Sequence, residues 1–253
     1  MCTVIVGFAP DADVPVMLAG VRDEFLARPW LPPGRHWPDR PGLIGGLDRQ
    51  AGGTWLAVDP AAPRAAALLN GRGVLARDEA RRSRGELPLY AVTAGEPPAE
   101  PDLARYDPFH LVLAEPGGVR LWSWDGRALT EEKPPEGVHV IVNAGWARGD
   151  DNPRVAHFRP LFAAADAALG AGGADAASRA AAQERRWRAW RELASGAGLA
   201  ADDPRALIVR RDLGPRGVWG SSSVTLLGLS PGGVRYDFCP HPGDSASWYR
   251  VLG

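Results

Sequence analysis

Cys2 follows the initiator methionine and carries the most reactive side chain near the start of the sequence. Removal of an initiator methionine is favoured when the next residue is small, and it would give Cys2 a free α-amine beside its thiol. Because an α-amine has an unperturbed pKa of about 8, it can accept the thiol proton without help from a histidine. We therefore predict that Cys2 supplies both a nucleophile and its base. The alternative interpretation is that Cys2 has no catalytic role and is simply a small residue that follows Met1.

The segment around Cys2 is predicted to be the first strand of a hairpin. Thr3–Phe8 and Val14–Val21 are short apolar runs rich in β-branched residues, and a polar loop containing Pro and Asp separates them. Such a pattern is typical of two antiparallel strands. If the hairpin is centred near Ala12, Cys2 lies beside Arg22.

Further apolar runs predict a protein rich in antiparallel strands, with helices in two groups. This pattern favours an α+β layered domain, and no flexible linker divides the chain, so we expect residues 1–253 to form one domain. The helix candidates are Ala76–Val92, interrupted around Gly85 and Pro88, then Pro153–Leu169 and Asp175–Ala194, with a loop over Gly170–Ala174. The other strand candidates are Gly42–Leu47, Thr54–Val58, Ala65–Leu69, Phe109–Ala114, Val119–Trp124, His139–Val142, Ala206–Val209, Ser223–Leu229 and Val234–Phe238.

Composition excludes several classes of protein. The 253 residues carry 29 basic and 30 acidic side chains, a net charge of -1, which does not suit a general nucleic-acid binder. No apolar run is long enough to span a bilayer, and the start lacks the features of a signal peptide, so a cytoplasmic protein is expected. Two cysteines are too few for a disulfide framework, and the five histidines show no metal-ligand spacing. We therefore expect free thiols and no metal site.

Several short motifs occur in order along the chain. They are MCTVIV at the start, VRDEFLARPW from residue 21, LDRQAGGTWLAV from residue 47, ALLNGR from residue 67, SRGEL from residue 83, VNAGW from residue 142 and SSSVTLL from residue 221. Together they resemble the NRDE family, whose eukaryotic members include the transport and Golgi organisation proteins. The ordered set is far more specific than any single motif, and it covers nearly the whole chain.

The resemblance implies an N-terminal-nucleophile hydrolase fold, a four-layer αββα sandwich with two antiparallel sheets between helices. By similarity to cysteine amidohydrolases of that fold, Cys2 would attack an amide carbonyl, Arg22 would lie against the thiol and stabilise its thiolate, and Asp23 would hold the α-amine. Asn70 and Asn143 fall where this fold recruits oxyanion-hole groups. The alternatives are an exposed ion pair at a strand end for Arg22 and Asp23, a turn residue for Asn70 and a strand-terminal cap for Asn143.

Two positions depart from the family pattern. Val21 replaces the leading Asn of the family motif, and Gly220 stands where the family commonly has Arg before Ser221. A positive charge for substrate binding is then missing, unless Arg216 supplies it from the preceding loop.

Two functions follow from the resemblance. In the first, the pocket at Cys2 binds or carries a hydrophobic anionic small molecule, because the family has been implicated in haem trafficking and in acyl-coenzyme A handling. In the second, Cys2 hydrolyses a non-peptide C–N bond through an acyl-enzyme. Hydrolysis would need no cofactor, and haem would be a carried ligand. No nucleic-acid partner is expected in either case.

Overall fold

The computed structural model describes residues 2–167 and 175–253 of the chain. Its strands, in chain order, are β1 Thr3–Phe8, β2 Val16–Phe25, β3 Trp30–Gly34, β4 Ile44–Asp48, β5 Leu56–Asp59, β6 Arg64–Asn70, β7 Phe109–Glu115, β8 Gly118–Trp124, β9 Leu129–Glu132, β10 Gly137–Val142, β11 Gly145–Trp146, β12 Arg210–Asp212, β13 Val218–Ser230, β14 Gly233–Cys239 and β15 Tyr249–Leu252. The helices are α1 Leu87–Ala94, α2 Glu100–Leu103, α3 Pro153–Ala167 and α4 Ala176–Ala194.

The strands form two antiparallel sheets. The first sheet has the order β11-β10-β1-β2-β13-β14-β15, with β12 paired to β13, and the second runs β3-β4-β5-β6-β7-β8-β9. The two sheets pack face to face, and helices cover their outer faces: α3 and α4 lie on the first sheet and α1 lies on the second. The predicted α+β sandwich of two antiparallel sheets is confirmed.

Alternation along β1 shows how the sequence builds these layers. Val4 and Val6 point into the core between the sheets, whereas Ile5 packs into the core beneath α3 and α4. Because successive side chains of a strand point to opposite faces, a run of apolar residues can serve both cores at once. The central strands of the first sheet are therefore apolar on both faces.

The hairpin register matches the prediction. Thr3 pairs with Val21 and Phe8 pairs with Val16, so the hairpin is centred on residue 12. However, β2 runs on to Phe25, four residues beyond the predicted end. Arg22 and Asp23 are consequently strand residues paired with β13 rather than a solvent-exposed strand end.

One predicted strand is wrong, and one predicted helix is shorter than expected. Ala206–Val209 is buried but is not a strand; Val209 bonds instead to the backbone and hydroxyl of Ser221, and the short strand β12 begins one residue later. In Ala76–Val92, the α-helix begins only at Leu87, after two short 3-10 turns at residues 78–80 and 84–86. Pro88 lies in the first turn of α1, where its missing N–H costs nothing. Pro88 therefore helps to begin a helix rather than interrupt one.

The remaining predicted elements are present, with shifted bounds. The short strands β3, β9, β11, β12 and β15 have no counterpart among the predictions, since each has five residues or fewer and is too short to give a clear pattern. Helix α4 begins after Asp175, whose carboxylate accepts a hydrogen bond from the Ser178 N–H and caps it. The predicted loop Gly170–Ala174 lies outside the described residues. No helix in the described ranges is long and apolar enough to cross a bilayer.

Candidate functional site

Cys2 lies between two of the predicted site residues. Continuing the β1–β2 register by one residue places Cys2 opposite Arg22, and continuing the β1–β10 register places it opposite Asn143. Its Sγ lies 3.8 Å from the backbone carbonyl oxygen of Asp23, to which the thiol donates a hydrogen bond. The side chain is half-buried and lines a cleft of about 730 Å³.

Arg22 and Asp23 point to opposite faces of the first sheet, as adjacent strand residues must. The Arg22 guanidinium faces the second sheet: it lies 4.5 Å from the ring centroid of Trp55, and its Nη2 lies 3.4 Å from Oδ2 of Asp48. Asp23 faces the helix layer, where its Oδ2 lies 3.5 Å from Nη1 of Arg154 in α3. The two residues therefore connect the thiol to different layers of the sandwich.

A β-bulge in β13 explains how two successive serines reach these two side chains. The pairing with β2 shifts between Ser221 and Ser223, so Ser222 is the extra residue. The Ser221 hydroxyl donates to Oδ1 of Asp23 at 2.7 Å, and the Ser222 hydroxyl accepts a 2.9 Å hydrogen bond from Nη1 of Arg22. A bulge commonly redirects side chains in this way. Serines of the neighbouring strand thereby hold both charged side chains at the end of the hairpin.

Arg154 organises the buried side of the site. Its Nη1 donates to the Thr3 hydroxyl at 2.8 Å, and its Nε donates to the Ala206 carbonyl at the same distance. The side chain of Asp23 is fully buried, and that of Arg154 is 11% exposed. Burial raises the pKa of Asp23 above its ordinary value, because a carboxylate is poorly solvated there.

The thiol does not have the low pKa expected from its neighbour Arg22. Burial raises the pKa of Cys2, and the negative charge of Asp23 raises it further, whereas Arg22 acts in the opposite direction without reversing the shift. The Arg22 guanidinium is itself already bonded to Ser222 and Asp48. The resting form of Cys2 is accordingly the neutral thiol.

The two predicted asparagines have different surroundings. Asn70, at the end of β6, is exposed and lines the cleft. Asn143 does not line it, although it adjoins Cys2 through the sheet register. Its Oδ1 is buried without a hydrogen-bond partner among the described residues. The structure thus brings Cys2, Arg22, Asp23 and Asn70 to one cleft and leaves Asn143 beside it.

Charged side chains dominate the lining of the cleft. The apolar contributions come from Trp55, Leu68 and Ala51. The arginines that line it are Arg22, Arg28, Arg81, Arg82 and Arg84, and the acidic side chains are those of Glu24, Asp48, Asp78 and Asp107. Asp23 also borders the cleft, but its fully buried carboxylate faces the helix layer. Such a lining is suited to a polar, charged ligand.

Five of the seven motif segments that resemble the NRDE family contribute residues to this cleft. Asp48 and Trp55 come from LDRQAGGTW, and Arg84 comes from SRGEL. We assigned no role to these three residues from the sequence, and their place in the motifs was the signal that could have identified them. Asp48 has a lowered pKa: partial burial opposes its ionisation, but hydrogen bonds from Arg28 and from two backbone N–H groups outweigh that effect. Arg154 lies in no motif, and no sequence signal identified it.

The two departures from the family pattern have local explanations. Val21 is buried in the core beneath the helices, so an apolar side chain suits its position. A Cβ on Gly220 would lie 2.6 Å from the carbonyl oxygen of Val209, because β12 pairs closely with β13 there. Arg216 is exposed and does not line the cleft. The cleft cations come instead from other segments of the chain.

Comparison with known proteins identifies the family. No curated protein matches the chain significantly. The family model described as transport and Golgi organisation 2 matches residues 1–180, a stretch that includes Cys2, Arg22, Asp23, Asn70 and Asn143. Because this match covers more than two thirds of the sequence, the chain belongs to the transport and Golgi organisation 2 family.

Proposed function

We propose that the protein is an N-terminal cysteine amidohydrolase that cleaves a C–N bond other than a peptide bond. One observation carries this proposal: the Cys2 thiol opens into a polar cleft, with Arg22 opposite it and the buried carboxylate of Asp23 on the next residue. The two-sheet sandwich with outer helices is compatible with the N-terminal-nucleophile hydrolase fold that the resemblance implies.

The chemistry needs a free α-amine on Cys2. After removal of Met1, the amine would accept the thiol proton as Sγ forms a bond to the carbonyl carbon of the substrate. When the tetrahedral intermediate collapses, the C–N bond breaks and the ammonium returns that proton to the leaving amine. Water then adds to the thioester with the amine as base, the C–S bond breaks, and the acid and the Cys2 thiol are released.

The raised thiol pKa agrees with this order of events. A buried neutral thiol forms a thiolate only as its proton is transferred, so proton acceptance by the amine and attack by Sγ are coupled. In the proposed site Asp23 orients the resulting ammonium, and Arg154 and Ser221 hold the carboxylate in place. An ammonium beside Asp23 would in turn favour the ionised carboxylate.

Asn70 and Asn143 are the candidates for stabilising the oxyanion. Each offers an amide group near Cys2, one from the end of β6 and one after β10. A single well-placed donor of this kind contributes roughly 3 to 4 kcal/mol to lowering the barrier. If only one residue serves, replacing the other by Ala should leave kcat almost unchanged.

The carrier function stays a prediction, and the cleft suits its two candidate ligands unequally. The arginine-rich lining would attract the anionic end of acyl-coenzyme A, whereas the apolar face of haem would meet few apolar side chains. Saturable binding of either ligand to a Cys2→Ser variant would support this second function. It would show that affinity does not depend on the nucleophile.

Intact mass and product release test the hydrolase directly. We expect the purified protein to lack one Met residue and to release amine from at least one member of a panel of N-acyl substrates. Cys2→Ala and Cys2→Ser should abolish release. A retained Met1, or release that persists in Cys2→Ala, would contradict the proposal.

A further inference from the structure

The five arginines of the cleft differ in how far their charges are already paired. Four of them lie within 4.0 Å of a carboxylate: Arg22 with Asp48, Arg28 with Asp48 and Glu24, Arg81 with Asp78 and Asp107, and Arg82 with Glu86. Among the residues that the structure describes, Arg84 is the cleft arginine without such a partner. The charge of Asp107 is near enough to interact with Arg84 electrostatically, but no carboxylate of the described residues forms a direct ion pair with it. The Arg84 guanidinium therefore remains available to pair with a ligand.

The hydrogen bonds of Arg84 leave one edge of its guanidinium open. Nη1 donates to the Pro108 carbonyl at 2.7 Å, and no described residue accepts a hydrogen bond from Nε or Nη2. These two nitrogens form one side of the planar group, and their spacing matches the two oxygens of a carboxylate. Arg84 and Cys2 line the same cleft and are close enough to interact electrostatically.

Close packing of two glycine segments holds Arg84 in position. The Thr54 N–H donates to the Gly85 carbonyl at 2.8 Å, and a Cβ on Gly53 would lie only 2.3 Å from the carbonyl carbon of Gly85. The Ser83 hydroxyl also accepts a hydrogen bond from the Gly85 N–H. The backbone on either side of Arg84 is thus fixed against the second sheet, which limits the entropy lost when the side chain binds a ligand.

We propose that Arg84 binds a carboxylate of the substrate and thereby selects amides that carry a negative charge near the bond cleaved at Cys2. This inference rests on the proposed amidohydrolase function. A carboxylate fits better than a phosphate, because Asp78 and Asp107 also line the cleft and would repel a doubly charged group more strongly.

Matched pairs of small amides test the recognition separately from the chemistry. The probes are the monoamides succinamate, glutaramate and adipamate, each compared with its neutral diamide. Dissociation constants are measured by NMR titration of the Cys2→Ala protein, which lacks the nucleophile. We expect at least one monoamide to bind saturably and about 10-fold or more tightly than its diamide, as one charge-assisted bidentate contact can provide.

Three substitutions, each added to Cys2→Ala, identify the residue responsible. Arg84→Gln should abolish the preference for the monoamide, and Arg84→Lys should keep part of it, since the charge remains while the two-point contact is lost. Arg216→Gln removes the same charge from an exposed position outside the cleft and should leave the preference unchanged. If Arg84→Gln fails to fold, the partial loss expected for Arg84→Lys still tests the assignment.

Two outcomes would overturn the inference: no monoamide binds more tightly than its diamide, or the preference survives in both Arg84 variants. Ammonia release by the protein with Cys2 intact separates this failure from failure of the proposed function. Equal release rates from monoamides and diamides would retain the hydrolase and refute the role of Arg84. An Arg84-dependent preference without release of ammonia from these amides or of amine from the panel of N-acyl substrates would retain carboxylate recognition and refute the hydrolase.

Discussion

Arg154 offers the sharpest test of how the site is built, because it lies in no recognised motif. Its guanidinium connects α3 to the carboxylate of Asp23, the hydroxyl of Thr3 and the carbonyl of Ala206. Arg154→Met keeps a long, unbranched side chain that can fill the same space but cannot donate. The substitution therefore removes these hydrogen bonds with little change in volume.

The expected loss of stability follows from the contacts. The two 2.8 Å hydrogen bonds from the charged guanidinium contribute about 1.5 to 3 kcal/mol each. Removing one partner of a buried ion pair typically costs about 3 to 5 kcal/mol, and the 3.5 Å separation from Asp23 favours the lower part of that range. These two estimates describe the same guanidinium and overlap, so we expect the free energy of unfolding to fall by about 3 to 4 kcal/mol rather than by their sum. For a chain of this size, Tm should fall by about 6 to 16 °C.

The loss should depend on pH with a definite sign. Burial raises the pKa of the Asp23 carboxyl group in the folded protein above its pKa in the unfolded chain. The stability contributed by protonated Asp23 is therefore fully present at a pH below the pKa of the unfolded chain, and it is lost as the pH rises through the pKa of the folded protein. Removing the Arg154 cation raises the folded pKa further, which increases the penalty at neutral pH. The deficit of Arg154→Met should therefore shrink as pH falls from 7 towards about 4.

Calorimetric Tm measurements from pH 4 to 8 on the wild-type protein and Arg154→Met provide the assay. Arg159→Met, on the same helix, is the control. Arg159 pairs with the exposed Asp150 and makes only long hydrogen bonds to the Ala147 and Arg148 carbonyls, so its loss should cost less than about 1 kcal/mol. A deficit below 1 kcal/mol for Arg154→Met, or one that does not change with pH, would refute the reasoning.

Two further predictions concern the thiols and the glycine contact. Iodoacetamide should label Cys2 faster than Cys239, because Cys2 lines the cleft whereas Cys239 is buried. The labelling rate of Cys2 should keep rising above pH 8.5, since burial raises the pKa of its thiol. Equal labelling rates for the two cysteines in the folded protein would contradict the first expectation. Gly53→Ala should destabilise the protein by about 1 to 3 kcal/mol and weaken monoamide binding, because the new methyl group would displace Gly85. Gly52→Ala is the control: residue 52 has a φ of 76°, which strains any alanine, but the methyl group would meet no atom within 4 Å. It should therefore reduce Tm without altering binding. Unchanged binding by Gly53→Ala would show that this contact does not position Arg84.

Local patterns in the sequence predicted much of the framework. Two short apolar runs rich in β-branched residues and the polar loop between them were enough to predict the β1–β2 hairpin and its register, since pairing within a hairpin depends on residues close in the chain. The same reasoning placed Arg22 beside Cys2. Reasoning from local patterns failed for Ala206–Val209, because a buried segment that is not paired in a sheet can have the same apolar run as a strand. It also failed for β15 and the other short strands, which have too few residues to show a periodic pattern.

The order of the motifs indicated the family, but only the tertiary structure decided how their residues act together. Arg84 reaches the cleft because two glycine segments pack closely, Ser221 and Ser222 reach Asp23 and Arg22 through a bulge, and Arg154 arrives from a helix more than 100 residues along the chain. Contacts at such separations depend on the packing of whole layers. The thiol pKa likewise departs from the prediction because burial, a property of the assembled fold, outweighs the charge of a neighbouring residue.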